Sequence, residues 1–170
     1  MYNFQFFLLQ QNLELVLTAQ LRAHPVIAMP DLLALVGLAG CAAMFPGQLS
    51  GGMQRRVALL RAFIIEPSLL LMDEPFQSLD APTANQLRIL LQELWQRTRP
   101  TVLFVTHSLR EAISLADRIL FLSGQPSRII LDLPIDLAHP RAIEDASVQN
   151  LHESILNRYP LLLTGQSTPA

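Results

Sequence analysis

No lysine occurs in these 170 residues; all 12 basic side chains are arginines. Any site built around a lysine ammonium is therefore excluded from this chain. Cysteine is nearly absent too. Cys41 stands alone, so no internal disulfide is available, and a reducing compartment suits the chain. Charged residues make up only 15% and the net charge is -2. There is no global basic field, and nucleic acid is not an expected partner. No basic stretch precedes the first apolar residues, so the amino terminus does not read as a secretory signal. Long unbroken apolar runs are missing as well. Residues 26–45 come nearest to a membrane span in length, but Asp31 sits inside them beside Pro30, and Gly37 and Gly40 interrupt them. A short buried helix over "LLALVGL", capped by Asp31 and with Gly40 near its end, is the better expectation.

What is present is a chain that can bury a core: 51% hydrophobic residues, too apolar for disorder, in a length that suits one domain. The first 25 residues have no clear period, although "LELVLTAQLRA" has helical character. From Leu49 onward the pattern sharpens. "SLLLMDE" is a continuous apolar run ending in carboxylates, which predicts a strand buried on both faces. "APTANQLRILLQELWQR" puts Leu87, Leu90, Leu91 and Leu94 on one helical face, with Pro82 in the first turn. "TVLFVTH" predicts a second buried strand. "SLREAISLAD" predicts a helix in which Ser108 and Glu111 have capping-box spacing. "RILFLS" and "SRIILDL" predict two strands separated by "GQP". "VQNLHESILNRY" predicts a last helix, and "TGQSTPA" a frayed end. Strand, helix, strand, helix, strand is an α/β layout with parallel pairing at its centre.

Three stretches carry chemistry. In α/β sheets, ligands sit beyond the carboxyl ends of strands. Asp73 and Glu74 end one such strand, where one carboxylate can hold Mg²⁺ and the other can orient an attacking water. His107 ends the other strand and can reach a terminal phosphate there. "LSGGMQRRVALLRAF" sets Ser50, Gly51 and Gly52 before a helix with apolar residues Val57, Leu59, Leu60 and Phe63. Free N–H groups and the helix dipole favour an anion at such a start. Taken alone, S-G-G is more often an ordinary helix start, and two adjacent acids are more often a solvated turn. The order of the motifs, "LSGGMQRR", "LLLMDEP", "SLD" and "VTH", changes that balance.

In this order the chain resembles the nucleotide-binding subunit of ABC transporters, over roughly residues 31–130. "LSGGMQRR" is similar to the family signature, "LLLMDE" to its Walker B strand and following glutamate, "QSLD" to its D-loop, and "VTH" to its switch histidine. The resemblance implies ATP and Mg²⁺ as cofactors, with Asp73 on Mg²⁺, Glu74 as the base that positions water, and His107 on the γ-phosphate. It implies that Ser50, Gly51, Gly52, Gln54 and Asp80 belong to the nucleotide site, with the signature residues contacting ATP held by the opposite subunit of a dimer. Gln5 in "NFQFF" is a candidate for the family's Q-loop glutamine. The implied partners are transmembrane permease subunits and a second nucleotide-binding subunit. The implied location is the cytoplasmic face of the plasma membrane, as a peripheral protein. "MDEPFQSLD", "LREAISLADRILFLSGQPSRII" and the "HPR" at His139 look most like ATPases of nitrate, sulfonate or taurine importers.

One departure is large. The family carries a phosphate loop, G-x-x-x-x-G-K-[ST], upstream of the signature, and a chain without lysine has no such loop. The expected fold is therefore α/β: an incomplete P-loop NTPase-type domain, comprising the helical subdomain and later core strands without the Walker A part. Residues 1–130 are expected to form the partial nucleotide-binding domain, and residues 131–170 a tail with a possible helix. The expected function is ATP hydrolysis coupled to solute uptake. The alternative is a non-catalytic partner or truncated remnant that offers only its signature helix to ATP on another subunit.

Overall fold

A computed structural model describes residues 7–17 and 28–164. Gln5 and the terminal "GQSTPA" lie outside the described residues. The chain divides into two compact units. One comprises the residues up to Leu71 together with Phe76–Leu103, and the other comprises Met72–Pro75 together with the residues from Phe104 onward.

The first unit is mainly helical. Helix α1 (Leu9–Glu14) buries Leu9 and Leu13. Its first N–H groups are satisfied by a loop, Leu9 donating to the Met44 carbonyl at 2.8 Å and Gln10 to that of Ala42 at 3.0 Å. Helix α2 (Met29–Leu35) starts with Pro30 in its first turn. Asp31 also lies in that first turn, where the dipole favours it, but it is not the cap: the N-cap is Ala28, with no side-chain hydrogen bond. The helix stops earlier than "LLALVGL" suggests. Gly37 takes φ +69°, its N–H donates to the Ala34 carbonyl (2.9 Å), and the Leu38 N–H reaches back to Leu33 (2.7 Å). This is a Schellman ending, and it needs a left-handed residue at position 37, so Gly37 rather than Gly40 closes the helix. No helix among the described residues is long and apolar enough to cross a membrane.

Helix α3 (Gly51–Phe63) and helix α4 (Ala81–Thr98) pack against each other. α3 buries Val57, Leu59, Leu60 and Phe63, and α4 buries Ala84, Leu87, Leu90, Leu91 and Leu94, as the helical spacing predicts. Arg56 ties this packing to the end of α2. One guanidinium nitrogen donates to Gln86 Oε1 on α4 (2.6 Å) and the other to the Val36 carbonyl (3.4 Å). A Cβ at position 37 would come within 2.9 Å of that second nitrogen.

Strands β1 (Leu69–Asp73) and β2 (Thr101–Val105) pair in a two-stranded sheet. Just before β1, the Ser68 carbonyl accepts from Thr101 N–H (3.0 Å); just after it, Glu74 N–H donates to the Val105 carbonyl (2.9 Å). Start therefore meets start and end meets end, so the pairing is parallel, with Leu71 level with Leu103. The expectation of burial on both faces is not met. Exposed and half-buried positions alternate along both strands, leaving Leu71 66% and Leu103 55% exposed. No second layer covers that face among the described residues, so the alternation typical of a one-sided sheet appears.

In the second unit, β3 (Arg118–Leu122) and β4 (Ile129–Pro134) form an antiparallel pair with Ile119 opposite Leu133 and Phe121 opposite Leu131. Helix α5 (Leu109–Leu115) packs against helix α6 (Ala146–Arg158). Their core comprises Leu109, Ile113, Ile119, Ile135, Val148, Ile155 and Leu162.

Candidate functional site

The second unit brings together two of the residues the sequence singles out. β1 ends at Asp73, and the next residue, Glu74, has φ +44°. A left-handed backbone is costly for a residue with a Cβ, on the order of 1–3 kcal/mol. The Glu74 N–H bond to Val105 holds it in place. The turn carries the Glu74 carboxylate to the end of β2, where Oε1 accepts from the His107 backbone N–H (2.9 Å) and from its ring Nδ1 (2.7 Å). Because an ionised carboxylate only accepts, Nδ1 carries the proton. The hydrogen bond that the ring donates to Glu74, and then the Glu74 charge, raise the His107 pKa above the ordinary imidazole value. His107 is largely exposed, at 74%, whereas Glu74 is 24% exposed. Its Nε2 is thus the ring atom left to meet a ligand.

The loop bearing His107 is fixed on both sides. Thr106 Oγ1 accepts from the Ser108 N–H (3.1 Å) and donates to Glu111 Oε2 (2.7 Å). Ser108 caps α5, its hydroxyl accepting from the Glu111 N–H at 3.4 Å. The capping-box spacing is therefore half used: the Glu111 side chain binds Thr106 instead of returning to the Ser108 N–H. Sequence reading names His107 and misses Thr106 and Glu111 as its supports. The S-x-x-E spacing was the available signal, but it points to the wrong partner for the carboxylate.

Ser50, Gly51, Gly52, Gln54 and Asp80 lie in the first unit. Ser50 is the N-cap of α3, its Oγ accepting from the Met53 N–H (3.2 Å). The Gln54 side-chain amide donates to the carbonyls of Pro46 (3.0 Å) and Leu49 (3.2 Å), fastening the loop that leads into the signature. Among the described residues nothing demands glycine at position 51, where an added Cβ would meet no atom within 4 Å. At Gly52 the nearest atom would be Thr83 Cγ2 at 3.7 Å, ordinary contact. Asp80 caps α4 by accepting from the Thr83 N–H (3.0 Å), and that hydrogen bond lowers its pKa.

Asp73 is exposed at the end of β1. Among the described residues, no cluster of three or more His, Cys, Asp or Glu could hold a metal by itself. A single carboxylate nonetheless suits Mg²⁺, which keeps several waters and takes phosphate oxygens as its other ligands. A nucleotide fits less completely. The carboxylates and the glycine-bearing helix start are here, but no lysine is.

The family profile described as "ABC transporter" matches residues 2–77. An aliphatic sulfonates import ATP-binding protein of Streptomyces avermitilis is 52% identical over 124 residues, covering 73% of this chain and 49% of the relative. A protein of the same description from Rhizobium johnstonii is 52% identical over 134 residues, covering 79% and 53%. An uncharacterized ABC transporter ATP-binding protein of Methanocaldococcus jannaschii is 46% identical over 123 residues, covering 72% and 46%. The chain thus spans about half the length of the curated relatives it matches. A solved structure described as the ATP binding subunit of an ABC transporter superposes with a TM-score of 0.58 at 25% identity, covering 80% of this chain and 55% of that one. The fold is of the P-loop NTPase type, represented in part.

Proposed function

The chain belongs to the ABC transporter ATP-binding family, and we propose that its residues form the signature, Walker B and switch portion of a subunit that hydrolyses ATP to drive solute import. The observation that carries this reading is the doubly bonded Glu74–His107 pair at the end of the parallel strands. Glu74 acts as the base: its carboxylate orients a water and holds the proton that the water gives up. His107 keeps that carboxylate aimed through Nδ1 and turns Nε2 to the terminal phosphate. Asp73 supplies a carboxylate to Mg²⁺. When bound, Mg-ATP supplies the phosphoryl group and the metal's charge neutralisation.

The signature residues act on a second subunit's nucleotide. Gly51 and Gly52 each carry a helix-propensity cost of up to about 1 kcal/mol, and no neighbour among the described residues accounts for Gly51. A phosphate approaching from another subunit does account for it. Ser50 and Gln54 shape that helix start, and Asp80 caps α4, the helix packed against α3. Gln5 is the candidate glutamine that senses the site. The boundary expected at residue 130 falls inside β4, and residues 131–164 belong to the packed second unit rather than to a separate tail. The partners are permease subunits in the membrane and a second ATP-binding subunit, met at the cytoplasmic face. The cargo class is an organic sulfonate, nitrate or taurine, by analogy with the sulfonate import relatives.

The test fuses the chain to the phosphate-loop-bearing part of the Streptomyces avermitilis relative and introduces Glu74→Gln. Hydrolysis should fall by about a hundredfold or more, the range of a general base, while ATP binding persists. Unchanged turnover in the substituted fusion would overturn the role of Glu74.

A further inference from the structure

We propose that Thr106 and Glu111 are positioning residues for His107, acting as a buried clamp on the loop that carries it. His107 is exposed, and an exposed side chain is ordinarily free to sample several rotamers. Here its two chain neighbours are immobilised by one hydroxyl. Thr106 Oγ1 donates its only proton to Glu111 Oε2 and accepts from the Ser108 N–H, so the peptide on each side of His107 is held. Glu111 is 5% exposed. A carboxylate withdrawn from water depends on its hydrogen bonds, so it does not readily release Thr106. It is itself anchored in α5, where its N–H donates to Ser108 Oγ and its carbonyl accepts from Ser114 Oγ (2.9 Å). The chain of contacts runs from the packed helix through Glu111 and Thr106 to the His107 backbone. The His107 N–H and ring then both meet Glu74. Helix packing in the second unit is thereby converted into side-chain aim at the reaction site.

The clamp's geometry stands on its own, while its value to hydrolysis rests on the function proposed above. The experiment therefore needs no nucleotide. The His107 imidazole is titrated by NMR in the 170-residue chain, and exchange of its backbone amide is followed in the same sample, with a melting curve as the check on folding. Thr106→Val keeps the shape and removes the hydroxyl. The raised His107 midpoint should fall toward the ordinary imidazole value, and its amide should exchange about fivefold faster, what the loss of one net hydrogen bond corresponds to. Thr106→Ser should restore both. Glu111→Met, which replaces the buried carboxylate by an apolar chain of similar size, serves if Thr106→Val does not fold, and is read by amide exchange alone because the Glu111 charge itself raises the His107 pKa. A folded Thr106→Val protein with the parent's midpoint and exchange rate, or a folded Glu111→Met protein with the parent's exchange rate, would overturn the clamp. Failure of the Glu74→Gln test with a normal titration response would instead remove the ATPase reading and leave the clamp standing.

Discussion

One oxygen of Glu74 receives both the backbone N–H and the ring Nδ1–H of His107, so the acid and the histidine form a single cyclic unit across the ends of two parallel strands. The pairing favours the protonated ring, and the folded-state pKa of His107 is raised. The sign follows from linkage. The stabilisation is fully present below the unfolded imidazole value, near 6.5, and is lost as pH rises through the higher folded value. Replacing Glu74 by Gln removes the charge. In an NMR titration of the chain, the His107 midpoint should then drop toward the ordinary value. A midpoint indifferent to that substitution would mean the two side chains do not pair in solution.

The 170-residue chain by itself should bind Mg-ATP weakly or not at all. A phosphate loop supplies many backbone hydrogen bonds and a lysine charge, and these residues contain no lysine. Calorimetric titration of the purified chain should give no micromolar binding. A well-defined micromolar isotherm would show that phosphate grip arises from arginines or backbone alone.

Ser50 separates capping from catalysis. As the cap of α3 it is worth about 1 kcal/mol of stability. In a mixed dimer with an intact partner, Ser50→Arg would fill the space left open before Gly51 and Gly52. Hydrolysis at the site completed by this signature should be lost, while nucleotide binding by the partner's own phosphate loop survives in part. Melting and turnover are read on one preparation. A variant that melts lower yet turns over normally while folded would reduce Ser50 to a cap.

Leu71 and Leu103 stand level on one face of the β1–β2 pair and are both more than half exposed. Neighbouring apolar side chains in water favour association. The double variant Leu71→Asp, Leu103→Asp should scatter less light and bind less hydrophobic dye, with stability within about 0.5 kcal/mol of the parent, as for a surface change. A large fall in melting temperature would show that this face is buried in the folded chain.

Much of the fold follows from local rules. The leucines of α4 and the proline in its first turn announce a helix from neighbours close in sequence, and the apolar run of β1 announces a strand. Where the outcome depends on contacts distant in sequence, reading the chain falls short. Asp31 precedes a helix pattern as a cap would, yet the chain enters α2 earlier, through Ala28 and Pro30. Gly37 and Gly40 both suit a helix end, and only the backbone bonds from Gly37 and Leu38 choose between them. The apolar runs of β1 and β2 imply two covering layers, and a sequence does not reveal how many layers are present. The acid and histidine of the site are legible because each ends a strand. The clamp behind them is not, because the Glu111 carboxylate selects a hydroxyl outside its own helix.

Glu74 occupies a backbone region that suits glycine better than any residue with a side chain. Glycine at this position would relieve roughly 1 kcal/mol or more of strain, and the exposed ion pair it would forfeit contributes little to folding. A screen of position 74 that rewards heat resistance alone would therefore enrich glycine and discard the carboxylate. If Glu74 has the role proposed for it, durability and turnover pull in opposite directions at this one residue, and a thermostabilising campaign must hold it fixed.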